Sequence, residues 1–159
     1  MHVDLAEVIQ SAIHETMIAF FTTDIGLKVG PSLIKSEEMP YTPPQADVTA
    51  IVAFNGAMEG GVHVAAPMHA ALLLATGFAG EPFESFNDMA KDAIGELANI
   101  IAGSVKSRIS ESICLTPPQV VVGTNHKIAF AYTHTLESTK CFFKTDEGPF
   151  FVEVFYKKH

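Results

Sequence analysis

One tetrapeptide of this chain occurs twice, and a longer passage has a partial likeness elsewhere in it. The tetrapeptide TPPQ stands at 42–45 and again at 116–119, each time ahead of a strand-like run. SAIHETMIA (11–19) resembles DAIGELANI (92–100), with Ala-Ile and then Glu in the same register. The offsets, 74 and 81 residues, are about half of the 159-residue chain. Two matches in one order read as a faded internal duplication: helix, TPPQ turn, strands, twice over. The whole chain, 1–159, fits one domain with a full hydrophobic core. The duplication makes Glu15 the counterpart of Glu96, while Ile18 stands where Asn99 does. Only the second copy keeps an acid and an amide.

Apolar positions at Leu5, Val8, Ile9, Ala12, Ile13, Met17 and Phe20 have helical spacing over 3–21. A stretch with Gly26, Gly30, Pro31, Pro40, Pro43 and Pro44 reads as loop, partly extended. DVTAIVAF (47–54) and VHVAA (62–66) predict a hairpin closed by NGAMEGG (55–61). Pro67 opens a second helix that runs to about Thr76 and ends near Gly77. Ser85 or Asn87 caps a third helix, with Asp88 in its first turn and its end near Ser110. QVVVG, KIAFAYTH, KCFFK and FFVEVFY then predict strands. This order describes a layered α/β (α+β) domain with a largely antiparallel sheet packed with long helices.

Charge and hydropathy exclude several classes. A net charge of −8 and a pI near 5.2 argue against a nucleic-acid binder and against docking on an anionic membrane. A partner that offers lysine or arginine suits the chain better. AALLLATGFAG (70–80), the richest apolar run, is too short to span a bilayer. MHVDLAEVIQ carries early acids and no basic segment, so no secretory signal is expected. Cys114 and Cys141 read as reduced thiols of a cytoplasmic protein. The seven histidines lack ligand spacing such as His-Glu-x-x-His, so no metal site is expected. Neither a Gly-x-Ser-x-Gly elbow nor a phosphate-binding glycine loop is present.

The third helix holds the chemistry. On a wheel of about 100° per residue, Phe86, Met89, Ala93, Leu97, Ile100 and Ile101 are assigned to the core side. Asp88, Asp92, Glu96, Asn99, Gly103 and Lys106 are assigned to the outer side. Glu96 and Asn99 are neighbours, about 4.5 Å apart along the axis. Several choices there oppose helix stability. Asp92 and Glu96 are like charges at i, i+4, and Gly95 and Gly103 each cost about 1 kcal/mol relative to alanine. Asn99 has no capping task at mid-helix. Small residues beside an outward acid and amide suggest a docking face. The residues alone equally allow a solvated helix whose glycines let it approach a strand.

DAIGELANIIAG (92–103) followed by LTPPQVVVG (115–123) resembles the CheC/CheX/FliY family of chemotaxis phosphatases, most of all the CheX type. The family pattern of Asp or Ser, Glu four residues on and Asn three further matches Asp92, Glu96 and Asn99. The Pro117–Pro118 turn and the hairpin GAMEGGVHVAAP (56–67) also match, so the likeness is clear over about residues 47–125. It implies the pseudo-duplicated CheC/CheX-like fold and a homodimer. The departure at Ile18 leaves one site per chain.

The resemblance further implies a phosphorylated CheY-type response regulator as substrate. That regulator would bring its own Mg²⁺ and lysine, so no cofactor is expected on this chain. Asn99 would orient the attacking water and Glu96 would pair with the regulator's lysine. Asp92, Gly95 and Gly103 would contact the partner. Two other readings stand beside this one. The first is a non-catalytic module that docks a receiver or a flagellar-switch component on the same face. The second is a small-ligand sensor built on the fold.

Overall fold

The computed structural model describes residues 4–21, 32–128 and 136–157. In chain order the elements are α1 (Leu5–Phe21), β1 (Ser32–Pro40), β2 (Gln45–Gly56), β3 (Gly60–Ala66), α2 (Met68–Ala79), α3 (Asp88–Ile109), β4 (Ile113–Leu115), β5 (Gln119–Lys127), β6 (Leu136–Thr145) and β7 (Gly148–Lys157). The expected strand KIAFAYTH begins at the last residue of β5, and its residues 129–134 lie outside the described ones. β4 was not foreseen, because three residues carry no readable period.

Among the described residues the strands form one antiparallel sheet in the order β1-β6-β7-β3-β2. β4 and β5 both pair with β2, β4 along Phe54–Gly56 and β5 along Gln45–Ile51. They therefore extend the sheet end to end on one edge. The Pro117–Pro118 break between them would leave the edge of β2 short of partners, since proline donates no hydrogen bond. Thr116 fills the gap: its N–H donates to the Ala53 carbonyl at 3.0 Å, and its Oγ1 accepts from the Ala53 N–H at 2.9 Å.

The strand order is symmetric about the β7–β3 pair. Hairpin β2–β3 answers hairpin β6–β7, and edge strand β1 on β6 answers β4–β5 on β2. α1 packs on β6, α3 packs on β2 and β3, and the two helices pack on each other. The duplication therefore lies in the order helix, edge strand, hairpin. The two TPPQ copies are not equivalent within it. The first leads into a hairpin strand, β2, and the second into an edge strand, β5.

Alternation along the strands sends one set of side chains under the helices. Val48, Ala50, Val52 and Phe54 of β2 and Phe150, Val152, Val154 and Tyr156 of β7 join Ile9, Ile13, Leu74, Leu97 and Ile101 in one core. The β2–β3 turn requires Gly60. Its φ is +152°, and a Cβ there would lie 1.9 Å from the Phe155 carbonyl oxygen of β7. α2 runs past Gly77, which is buried inside it, and stops at Gly80 in the left-handed conformation (φ 74°). One glycine inside a packed helix costs little enough for the contacts around it to override.

Asp47 joins three elements. Its Oδ2 accepts from the Met68 N–H at the start of α2 (3.0 Å), and its Oδ1 accepts from the Asn125 N–H of β5 (2.8 Å). These bonds, the Asn125 one foremost, hold its carboxyl below the usual carboxylate range. On the opposite sheet face a fully buried Glu153 stands between His63 and Lys140 in the strand register. His63 Nδ1 is 2.8 Å from Glu153 Oε1, and Ser138 Oγ donates to Oε2 at 2.7 Å. A buried carboxylate is tolerable only with such partners. Burial, and then the Glu153 charge, push the nearby Tyr41 phenol up.

Candidate functional site on the outer face of α3

α3 is a 22-residue mount fixed at both ends. Asn87 Oδ1 accepts from the Ala90 N–H at 2.9 Å, and Asp88 lies in the first turn where the helix dipole favours an acid. Lys106 and Arg108 occupy the last turn, where the dipole favours cations. Ala90, Ile94, Leu97, Ala98, Ile101 and Val105 are buried against the sheet and the other helices. The apolar stripe therefore fixes which way the opposite face points.

That face carries Asp92 and Glu96, both exposed, and Asn99, half-buried one turn on. Among the described residues neither Glu96 nor Asn99 is held by a side-chain hydrogen bond or ion pair. Met89 lies on the same face and is 61% exposed, which corrects its assignment to the core. It is seven residues from Glu96, about 20° short of two full turns, so helical geometry puts the two on one side. Ile100, also expected in the core, is only half-buried.

Between α3 and the segment after the Pro-Pro turn lies a cleft of about 480 Å³, lined by Lys91, Asp92, Gly95 and Glu96 on one wall and Pro118, Gln119 and Val120 on the other. Gly95 is buried in it. A Cβ at Gly95 would rest 3.4 Å from Val120 Cγ2 and 3.5 Å from Pro118 Cβ. These are ordinary contact distances, so the chain's own packing against the edge strand accepts alanine there as well as glycine. Gly103 differs: it is half-buried, with nothing within 4 Å of where a Cβ would sit. Lys91, Gln119 and Val120 were missed from the sequence. The only signal for the latter two was the Pro-Pro turn just before them.

The counterpart face on α1 is built otherwise. Glu15 is exposed but ion-paired with Arg108 from the end of α3. Ile18, in the position matching Asn99, is 44% exposed. No group of three or more His, Cys, Asp or Glu side chains that could hold a metal ion occurs among the described residues. Nor is any described helix long and apolar enough to cross a membrane.

One antiparallel sheet backed by two pseudo-equivalent helices is the CheC/CheX-like α+β fold, and one of these helices carries an acid and an amide one turn apart. Residues 48–144 match the family described as chemotaxis phosphatase CheX, and the chain belongs to that family. The CheY-P phosphatase CheX of Thermotoga maritima is 26% identical over 102 residues, which is 62% of this chain and 63% of that protein. The chain thus spans just under two thirds of the length of that curated relative. A chemotaxis protein CheX from Desulfovibrio desulfuricans has the same fold, with a TM-score of 0.78 at 22% identity over 98% of this chain and 100% of that one. The CheX–CheY–BeF3–Mg complex of Borrelia burgdorferi matches with a TM-score of 0.79 at 20% identity over 99% of this chain and 100% of the other.

Proposed function

We propose that this protein dephosphorylates the phosphoaspartate of a CheY-type response regulator, with Asn99 orienting the attacking water and Glu96 pairing with a lysine of the regulator. The supporting observation is the pair itself: an acid and an amide one turn apart on a capped helix, turned outward and unengaged by the chain's own side chains. The names of the relatives agree, one being a CheY-P phosphatase and another a complex with CheY.

The chemistry asks little covalent help of the protein. Water forms a bond to phosphorus as the bond from phosphorus to the aspartyl carboxylate oxygen breaks. The carboxylate leaves, and the water's proton ends on phosphate or solvent. Positioning and charge stabilisation set the rate of such transfers. The Asn99 carbonyl accepts a hydrogen bond from the water and fixes its angle, and it does not titrate. A long helix held at both ends keeps that angle constant. Glu96 sets the register, and Asp92 adds attraction for a cationic approach. Any Mg²⁺ belongs to the regulator in this reading, and the protein acts in the cytoplasm.

Release of phosphate from a phosphorylated CheY-type receiver tests the proposal. Asn99→Ala is expected to cut release by on the order of 10²-fold, the scale for one preorganised polar group, with binding nearly intact. Unchanged release would remove Asn99 from the mechanism. Full binding without release by the unaltered protein would leave the non-catalytic docking module instead.

We also propose that the chain forms a homodimer. β5 is an edge strand that exposes Val121 and Val122, the kind of edge soluble proteins usually cover. Light scattering on the purified protein is expected to give twice the chain mass of 17.1 kDa. A monomer at micromolar concentration sinks this part alone.

A further inference from the structure

We infer that Met89 is an apolar anchor for the regulator, and that with Ile100 it shields the Glu96–lysine pair from water. This rests on the proposed function above and extends it to residues outside the family pattern. A single exposed methionine ordinarily needs no explanation. This one is placed differently. It lies about 10.5 Å along α3 from Glu96, some 20° from it around the axis. Ile100, half-buried, lies about 6 Å on the other side of Glu96. The acid is thus bracketed along the helix by two apolar side chains.

Interface size then decides the matter. A protein–protein contact buries about 800 Å² per partner, equivalent to a disc of about 16 Å radius, and a small transient contact is only slightly narrower. A regulator centred between Glu96 and Asn99 with a contact of that standard size covers Met89, which lies about 13 Å along the axis from that centre. Interfaces draw their affinity from a few side chains of this type, ringed so that water is excluded from polar pairs near the centre. Methionine suits the task because its unbranched thioether adapts to the surface it meets. Asp88, Asp92 and Glu96 are the charged groups that α3 places along this face, and Lys91 lies round the helix in the cleft.

The test uses the full chain, a CheY-type receiver phosphorylated with acetyl phosphate for turnover, and the same receiver loaded with beryllofluoride and Mg²⁺ for affinity. Met89→Gln keeps the length of the side chain and removes its apolar character. KM is expected to rise about tenfold with kcat unchanged. KM should also climb more steeply with salt, since the lysine pair becomes hydrated and screened. Met89→Leu is expected to restore the unaltered KM. The melting temperature should not move, because the side chain is exposed. A Met89→Gln protein with the unaltered KM and salt dependence overturns the inference and leaves the phosphatase reading standing. Affinity for the loaded receiver that depends on Met89, without any phosphate release, supports the inference and sinks the phosphatase reading.

Discussion

The outer faces of α1 and α3 occupy equivalent places in the fold and do not carry equivalent chemistry. Both helices lie on the same side of the sheet, each over one hairpin, and each keeps an outward glutamate at the matching position. On α3 that acid is unengaged, with an amide one turn on and a cleft beside it. On α1 it is neutralised by Arg108, and an isoleucine takes the place of the amide. The arginine comes from the last turn of α3 itself. One helix therefore keeps its own acid unengaged and occupies the acid of the other. The two faces thus share an outward acid and differ in whether the chain itself pairs that acid and in what stands one turn on.

The sharpest way to break that contrast is to make the same change on both helices. Glu96→Arg places like charge against the regulator's lysine at the centre of the proposed contact. Such a juxtaposition costs several kcal/mol, so KM should rise by on the order of 10²-fold or more. Glu15→Arg sets two exposed arginines side by side on the α1 face. It should leave turnover unaltered and lower stability by under about 1 kcal/mol, the worth of an exposed pair. Steady-state phosphate release and thermal melts read both outcomes. Equal effects of the two substitutions on KM would show that the regulator does not distinguish the faces.

Much of the α3 face was legible from residues alone, for identifiable reasons. Its stripe repeats at helical period, Asn87 and Asp88 announce its start, and the acid–amide spacing falls within one helix. The β2–β3 hairpin was equally plain, because NGAMEGG is turn chemistry between two apolar runs. What could not be read depends on pairing across long separations. The partners of Gly95 are Pro118 and Val120, and only the register of β5 on β2 brings them there. The buried His63–Glu153 contact joins residues 90 apart, and neither sequence neighbourhood hints at it. Met89 is a different kind of error. The wheel reading groups Met89 with the apolar side, although seven residues put it only about 20° from Glu96. Geometry prevails because the core stripe is already filled by Ala90, Ile94, Leu97 and Ile101. The TPPQ repeat misled for a related reason: the matched letters begin strands with different places in the sheet.

A smaller effect sharpens the comparison within α3 itself. At the helix-based offset of 81, α1 carries His14 where α3 has Gly95, so the close approach of an edge strand belongs to the α3 half. Alanine at either glycine of α3 should improve helix propensity by up to about 1 kcal/mol and raise the melting temperature by a few degrees. At Gly95 the new methyl meets Val120 and Pro118 at ordinary contact distance, so the gain should be nearly whole and KM should stay put. At Gly103 the methyl projects into open space on the face that carries Glu96. The same stabilisation should then come with a rise of a few-fold in KM, as the added bulk keeps the regulator from seating. Melting curves paired with KM for the two variants separate the roles. If Gly103→Ala stabilises the protein and leaves KM unchanged, the regulator does not reach that turn, and its footprint is confined to the Met89–Ile100 part of the helix.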